Sequence, residues 1–143
     1  MKGYTITIPE NWYSYIESHG LFWQSPKELK KKGVIYYANH FSVKTEEVKE
    51  DTDVEKVYKK RKKWLRKVCK DFSISKKLFK HKTYGDYLVV NYDHTWHGIK
   101  YTASEVIYLY KDKSYVLQYS SWNQYYKKYL PGVLVMMDSF TIN

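Results

Sequence analysis

Two histidines and an aspartate lie within five residues of one another and form the group best suited to binding a metal. Asp93, His94 and His97 occupy this segment, and His81 precedes them across a predicted hairpin. Imidazole and carboxylate groups bind zinc, but a zinc site needs three or four ligands oriented by a surrounding shell of hydrogen bonds. A His-x-x-His spacing alone does not specify a metal. We therefore expect a polar hairpin loop whose Trp96 folds onto the sheet, and no cofactor, with a metal site at His81, His94 and His97 as the alternative.

Lysines and arginines dominate a second segment, which is predicted to be helical. Nine of them lie between Lys56 and Lys70. Clustered positive charge is typical of surfaces that bind phosphate groups, either of nucleic acid or of lipid headgroups. The candidate anion-binding residues are Lys56, Lys59, Lys60, Lys63, Arg66, Lys67 and Lys70. No glycine-rich phosphate loop or RNA-binding motif accompanies them, so the composition favours a solvated face that keeps the protein soluble.

Residues that could act in catalysis do not form a recognisable pair of nucleophile and base. Ser120 and Ser121 precede a predicted helix and are expected to cap it, and His40 lies within a predicted strand. Glu105 also lies in a strand, where we expect it to form a salt bridge with Lys100 or another strand neighbour. The sequence therefore predicts that the protein is not an enzyme.

The composition is that of a folded, basic protein rich in aromatic side chains. The chain has a net charge of +10, with 17 Tyr and 5 Trp, and this charge favours an acidic partner or an anionic surface. We expect the tyrosines to pack as cross-strand pairs, with an aromatic ligand pocket as the alternative. The single cysteine, Cys69, excludes an internal disulfide and is expected to be a packed structural residue.

Length and segment pattern indicate one domain that spans residues 1–143. A chain of 143 residues has the ordinary size of a domain, and this one shows no internal repeat or Pro/Ser-rich linker. No apolar run approaches the ~18 residues of a transmembrane segment. We therefore expect a soluble protein without a leader, or an extracytoplasmic one if a signal peptide has been removed from it.

The longest predicted helix extends from about Asp53 to Asp71 and would present an apolar stripe to a sheet. Thr52 and Glu55 have the spacing of a capping box, and the helix is acidic in its first turn and basic in its last. Arg61 interrupts the apolar stripe. The stripe consists of Val54, Val57, Tyr58, Leu65, Val68 and Cys69. A second helix is predicted near the end of the chain from the spacing of Tyr126, Leu130, Val133, Leu134 and Met137.

Runs of β-branched and aromatic residues predict the strands. These are Tyr4–Ile8, Gly20–Gln24, Val34–Val43, Ile74–Lys80, Tyr87–Tyr92, Tyr101–Tyr110 and Ser114–Tyr119. Ser25–Gly33 and Asp93–Gly98 are predicted loops, and Gly85 is expected to take positive φ in a turn. Because the strands are grouped and the helices lie outside the groups, the predicted fold class is α+β. Its sheet would be mostly antiparallel, with six or seven strands flanked by helices.

Packing motifs in three segments, together with the order of the predicted elements, match a known family. The segments are Tyr4–Trp12, Tyr115–Ser121 and Tyr129–Phe140. In these features the chain resembles the Mog1/PsbP-like family, which includes the nuclear-transport factor Mog1, the photosystem II protein PsbP, and bacterial lipoproteins of the DcrB and LpqN type. The resemblance implies an antiparallel sheet between helices and a non-enzymatic accessory role, and it transfers no catalytic residue. The lipobox cysteine of the lipoprotein members has no counterpart in this chain.

These observations predict a non-catalytic binding or accessory module that acts through a protein partner or an envelope component. The alternative is an anion-binding domain that uses the basic helix face, Lys56 to Lys70, to engage nucleic acid or acidic lipid.

Overall fold

A computed structural model describes residues 3–16 and 22–143 of the chain. The described residues contain nine strands and three helices. The strands are β1 (Tyr4–Thr5), β2 (Trp12–Ile16), β3 (Phe22–Pro26), β4 (Asn39–Glu47), β5 (Lys70–His81), β6 (Gly85–Trp96), β7 (Ile99–Tyr110), β8 (Lys113–Trp122) and β9 (Thr141–Ile142). The helices are α1 (Lys27–Lys31), α2 (Val54–Val68) and α3 (Asn123–Ser139), with a 3₁₀ turn at Tyr36–Ala38.

Seven of these strands form one antiparallel sheet in the order β2-β3-β4-β8-β7-β6-β5. Strands β5 to β8 follow one another through tight turns, in which Gly85 and Gly98 both have φ of +76°. A side chain at either glycine would be strained in this left-handed conformation. Strands β1 and β9 pair separately. The sheet and its helices confirm the predicted α+β class. The seven strands observed are the upper end of the predicted range of six or seven.

Residues of the central strands alternate between the two faces of the sheet, and a helix packs on each face. Ala103 and Ile107 of β7 pack with α2, whereas Val106 between them packs with α3. On the α3 face, Gly132 approaches Trp12 so closely that a Cβ atom there would lie 2.4 Å from the indole nitrogen. The sheet therefore separates two hydrophobic cores.

Helix α2 agrees closely with its predicted range, although its cap differs. The N-cap is Asp53, whose carboxylate accepts a hydrogen bond of 2.9 Å from the backbone N–H of Lys56. The prediction of Thr52 as the cap is wrong by one residue. Of the predicted stripe, Val54, Tyr58 and Leu65 are buried against the sheet.

Helix α3 buries a slightly different face from the predicted one. Leu134 is 47% exposed, and Met136 is fully buried. The helix starts after Trp122 without a side-chain cap, so the prediction that Ser120 and Ser121 cap it is wrong. Both serines belong to β8, because the strand continues further than its apolar run.

Several predicted boundaries differ for physical reasons. Strand β6 continues to Trp96 where a loop was predicted, since its polar residues pair with β7 up to the turn. The first strand ends at Thr5, and α1 forms within the predicted loop Ser25–Gly33. Strand β2 was not predicted from the sequence, and it pairs with β3 as a hairpin. Residues 20 and 21 of the predicted second strand lie outside the described residues.

In the described part of the chain, every helix is too short or too polar to cross a lipid bilayer.

Candidate ligand-binding cavity

A cavity of about 440 Å³ lies between the C-terminal half of α2 and the sheet. Helix α2 packs on β6 and β7. The cavity wall includes residues of these two strands and also of β3, β4 and β8. We call this space the aromatic cavity, because tryptophan, tyrosine and histidine rings provide most of its lining. The lining residues are Trp23, Tyr36, Tyr37, His40, Trp64, Leu65, Val68, Cys69, Tyr92, His94, Trp96, Tyr101, Gln118 and Ser120.

Ring contacts hold the walls of the aromatic cavity in place. The Trp23 ring lies 4.3 Å from the His40 ring, and the Tyr37 ring meets Trp96 edge-on at 5.8 Å. His94 stacks on Tyr101 at 5.0 Å with the ring planes 9° apart. Such contacts stabilise aromatic pairs beyond their buried area. The lining is therefore built from rings that come from several different elements.

His40 is the most unusual group of this cavity. Its side chain lies on β4, the residue is 7% exposed, and its Nδ1 atom has no hydrogen-bond partner among the described protein atoms. Burial lowers the pKa of His40 to about 4, although the Tyr37 backbone and the Gln118 side chain oppose this shift. The imidazole is therefore neutral at pH 7. An unpaired buried polar atom costs about 1–3 kcal/mol. Nδ1 is closed off from solvent, so the ring would have to turn before a molecule in the cavity could reach this nitrogen.

His94 has the same property on a neighbouring strand. Its Nδ1 atom is also buried without a partner in the described residues. Burial lowers the pKa of His94, against the smaller opposing effect of Asp93. Two neutral imidazoles thus line one aromatic space.

A buried ion pair lies under α2 beside the cavity. Arg61 Nε and Nη2 donate to the two carboxylate oxygens of Glu105 at 3.0 and 2.6 Å. Tyr92 Oη donates to Glu105 at 2.6 Å, and Gln118 Nε2 donates to the same carboxylate at 3.0 Å. Burial alone would lower the pKa of Arg61, but the adjacent Glu105 carboxylate raises it. The network fixes Tyr92 and Gln118, which both belong to the cavity lining.

This network corrects one prediction and explains another feature of the sequence. The partner of Glu105 is Arg61 on a helix, so the expected salt bridge within the sheet is wrong. Arg61 interrupts the apolar stripe of α2 because it must reach a carboxylate that is 1% exposed. A buried carboxylate without a cationic partner would be strongly unfavourable.

The predicted anion-binding residues are all exposed on or next to α2. Lys56 lies 3.9 Å from an oxygen of Asp51, and Lys60 lies 3.5 Å from Glu46. The remaining five form no ion pair with any described residue. These five are Lys59, Lys63, Arg66, Lys67 and Lys70. We call the seven residues together the basic face.

The structure does not bring the three predicted metal-binding histidines together. His81 pairs with Gly85 at one end of the β5–β6 ladder, and its Nδ1 atom accepts backbone hydrogen bonds in the turn. His94 lies nine residues further along β6, a distance of about 30 Å in an extended strand. His97 lies in the β6–β7 turn with φ of 50°. Within residues 3–16 and 22–143, no three His, Cys, Asp or Glu side chains are grouped as metal ligands.

Sequence reasoning did not predict the aromatic cavity at this position. Trp23, His40 and Tyr101 belong to three separate strands, and each has the appearance of an ordinary strand residue. The signal for the cavity in the sequence is its high aromatic content. That content predicts an aromatic ligand pocket only as the alternative to cross-strand tyrosine pairs. Cys69, expected to be a packed residue, is partly buried at the end of α2 and contributes to the lining.

Comparison with solved structures assigns the fold. The chain is similar to cyanobacterial PsbP (CyanoP) from Synechocystis sp. PCC 6803, with a TM-score of 0.69, 12% identity, and coverage of 99% of this chain and 88% of that chain. LpqN from Mycobacterium tuberculosis gives a TM-score of 0.67 at 13% identity, with coverage of 98% and 83%. No protein-family model and no curated protein sequence matches the chain. The chain therefore has the Mog1/PsbP-like fold that the resemblance implied.

Proposed function

We propose that this protein is a non-catalytic binding module whose aromatic cavity receives a small, neutral, ring-containing ligand. The observation that carries the proposal is the space itself, which is lined by aromatic rings from several elements and by the neutral His40 imidazole. A volume of about 440 Å³ suits a small ligand, since such sites commonly measure about 300–1,000 Å³. The ligand would stack on the rings and form a hydrogen bond with His40.

The chemistry of the lining favours a neutral ligand over a charged one. Its described residues are aromatic, aliphatic, amide, hydroxyl or thiol side chains, and both imidazoles have lowered pKa values because they are buried. A charged ligand would lose part of its hydration without gaining an opposite charge, which is unfavourable.

The same features favour binding over catalysis. Ser120 lies opposite His40 in the β4–β8 ladder, and no hydrogen bond joins their side chains in the described structure. A general base works best when its pKa lies near the working pH, whereas burial lowers the pKa of His40 to about 4. His40 is therefore suited to accepting or donating a hydrogen bond and poorly suited to activating a hydroxyl.

An accessory role through a protein partner or envelope component is part of this proposal. LpqN, which shares the fold, is described as involved in cell envelope biogenesis. That description supports the accessory role without identifying a ligand. A bound ligand at the aromatic cavity would then regulate or accompany the contact with the partner.

The test compares two probes that differ only in a polar group, 2-indanol and indane, by NMR titration of the protein. A buried hydrogen bond contributes about 1 kcal/mol. The affinity for 2-indanol, relative to that for indane, should therefore fall about fivefold when His40→Phe removes the partner of the hydroxyl. The substitution His81→Phe, far from the cavity, is the matched control and should leave both affinities unchanged. Binding of neither probe at residues that line the aromatic cavity would contradict the proposal.

A second candidate function is the binding of an anionic partner by the basic face. The observation that favours it is that five of its seven exposed cations have no ion-pair partner among the described residues. Such binding should weaken steeply with salt, because it releases counterions. Charge reversal at Lys59, Lys60 and Lys63 should abolish it while the thermal unfolding curve stays unchanged.

A further inference from the structure

Exposed hydrophobic side chains gather around the mouth of the aromatic cavity. Trp64 is 53% exposed and Val68 44%, and these two residues lie one turn apart on α2. Trp96 is 41% exposed and is the cross-strand partner of Ile99, which is 38% exposed. Trp64, Val68 and Trp96 all border the cavity. We call these four residues the rim.

The rim does not serve the packing of α2. The helix packs on the sheet through Val54, Tyr58 and Leu65, which are all at most 6% exposed. Trp64 and Val68 form a separate row on the side of the helix that faces the cavity mouth. Exposed apolar groups that adjoin one another on a monomer commonly mark a surface that contacts something else.

Positive charges, most of them without an ion-pair partner among the described residues, flank the rim. Lys60 and Lys67 lie four residues before and three residues after Trp64, so they adjoin it on the helix surface. Lys63 and Lys70 continue the row, and neither forms an ion pair with a described residue. An apolar rim is therefore bordered by a surface that repels cations and attracts anions.

We propose that the rim and the basic face dock together onto an anionic lipid bilayer, with Trp64 and Trp96 at the level of the headgroups. Tryptophan concentrates at membrane interfaces, and each lysine near an anionic bilayer adds about 1 kcal/mol of attraction. The long lysine side chains can reach the headgroups while their methylene stems cover apolar surface. In this orientation the mouth of the aromatic cavity faces the bilayer.

The side chains favour lipid over nucleic acid as the anionic partner. Val68 and Ile99 have no ring on which a base could stack, whereas both suit the apolar side of an interface. The unpaired cations are mostly lysines, and bidentate recognition of phosphates and bases relies on arginine. The inference rests on the second candidate function and goes further by assigning the partner and the residues that enter the interface.

Vesicle co-sedimentation tests this inference. The native protein should bind vesicles of phosphatidylcholine and phosphatidylglycerol in equal parts at low salt, and it should not bind pure phosphatidylcholine. The double substitution Trp64→Ala/Trp96→Ala should weaken binding about tenfold, because two interfacial side chains are lost. Charge reversal at Lys63, Lys67 and Lys70 should abolish it.

Matched controls come from the opposite side of the molecule. Leu134 and Val135 on α3 are 47% and 46% exposed, so Leu134→Ala/Val135→Ala removes similar exposed apolar groups away from the rim. Lys31→Glu/Lys127→Glu changes exposed charges near α1 and α3. Both control variants should bind the mixed vesicles as the native protein does. Thermal unfolding of every variant verifies that it is folded.

A labelled single-stranded oligonucleotide serves as the second anionic probe. Binding of the oligonucleotide but not the vesicles would overturn this inference and leave the second candidate function standing. Binding of neither probe at low salt would overturn both. Vesicle binding that is unchanged in the Trp64→Ala/Trp96→Ala variant would also overturn the inference, because the rim would then play no part. Titration with 2-indanol reports on the aromatic cavity independently of these outcomes.

Discussion

The two faces of the sheet are covered to different extents, although the same strands form both. On the α3 face, Trp12, Tyr119 and Val133 are at most 3% exposed and pack into one continuous core. On the α2 face, the helix covers two strands, and an open cavity beside it has the His40 imidazole in its lining. One face therefore provides most of the packing, and the other leaves room for a ligand.

The difference also concerns how the faces use polar groups. Tyr119 on the α3 face donates to the Tyr126 carbonyl at 2.7 Å and accepts from Asn39 at 2.8 Å, so its hydroxyl fixes helix to sheet. On the α2 face, the Arg61–Glu105 pair fixes the helix, and the imidazoles beside it have a free nitrogen. Polar groups stabilise contacts on both faces, and the α2 face combines them with an open space.

The strongest test of this comparison replaces tryptophan on each face. Trp12→Ala should lower the free energy of unfolding by about 4 kcal/mol, because it empties a large site in a closed core. The matched substitution Trp64→Ala should change it by less than about 1 kcal/mol, since Trp64 is 53% exposed. Urea denaturation measures both. Equal losses would show that the two faces contribute alike and that the comparison is wrong.

A second test concerns the ion pair that anchors α2. Glu105→Ala leaves Arg61 without its partner and should cost about 3 kcal/mol, the lower end for a buried pair, because the Arg61 side chain is 17% exposed. The control is Glu46→Ala, which removes an exposed partner of Lys60 and should cost less than about 1 kcal/mol. Chemical denaturation compares them. Similar costs would mean that water reaches the Glu105 site freely.

A third test uses pH to examine the imidazole of the cavity. The folded pKa of His40 is about 4, below its ordinary value of about 6.5. The unfolded chain therefore binds a proton first as the pH falls, and stability that is present above pH ~6.5 is lost toward pH 4. The native protein should lose about 2 kcal/mol more than the His40→Phe variant between neutral pH and pH 5. The lowered pKa of His94 affects the pH dependence of stability equally in the native protein and in the variant. The difference between their two pH profiles therefore reports on His40.

Equilibrium unfolding at a series of pH values provides this measurement. Identical pH profiles for the native protein and the variant would contradict the neutral, buried state of His40, and the proposed hydrogen bond to a neutral ligand would lose its basis.

Much of the fold could be predicted because its signals are local. The helix predicted from Asp53 to Asp71 is Val54–Val68, since capping residues and apolar spacing act within a few turns. The final hairpin and helix also form as predicted. Strand β2 was not predicted, although Trp12–Ile16 is rich in aromatic and β-branched residues. Its neighbours Pro9 and Asn11 indicate a turn, and only the pairing with β3 shows that the segment is a strand.

The candidate site was less predictable because it depends on contacts between distant segments. Glu105 could not be assigned to Arg61 from sequence, since 44 residues separate them and the partner lies on a helix. Leu134, which was predicted to face the sheet, is exposed, and Met136 is buried, because the rotation of α3 on the sheet decides which side is buried. The metal-binding alternative treated His81 and His94 as neighbours, although strand length separates them.

The sequence by itself determined the class of fold, the placement of α2 and the terminal helix, and the excess of positive charge. These follow from periodicity and composition, which each segment carries independently of its neighbours. Only the tertiary structure decided that His40, Trp23 and Tyr101 surround one space and that Trp64 and Trp96 border its mouth. The physical reason is that a cavity arises where a helix stops covering a sheet, and that depends on strand order and packing across the whole chain.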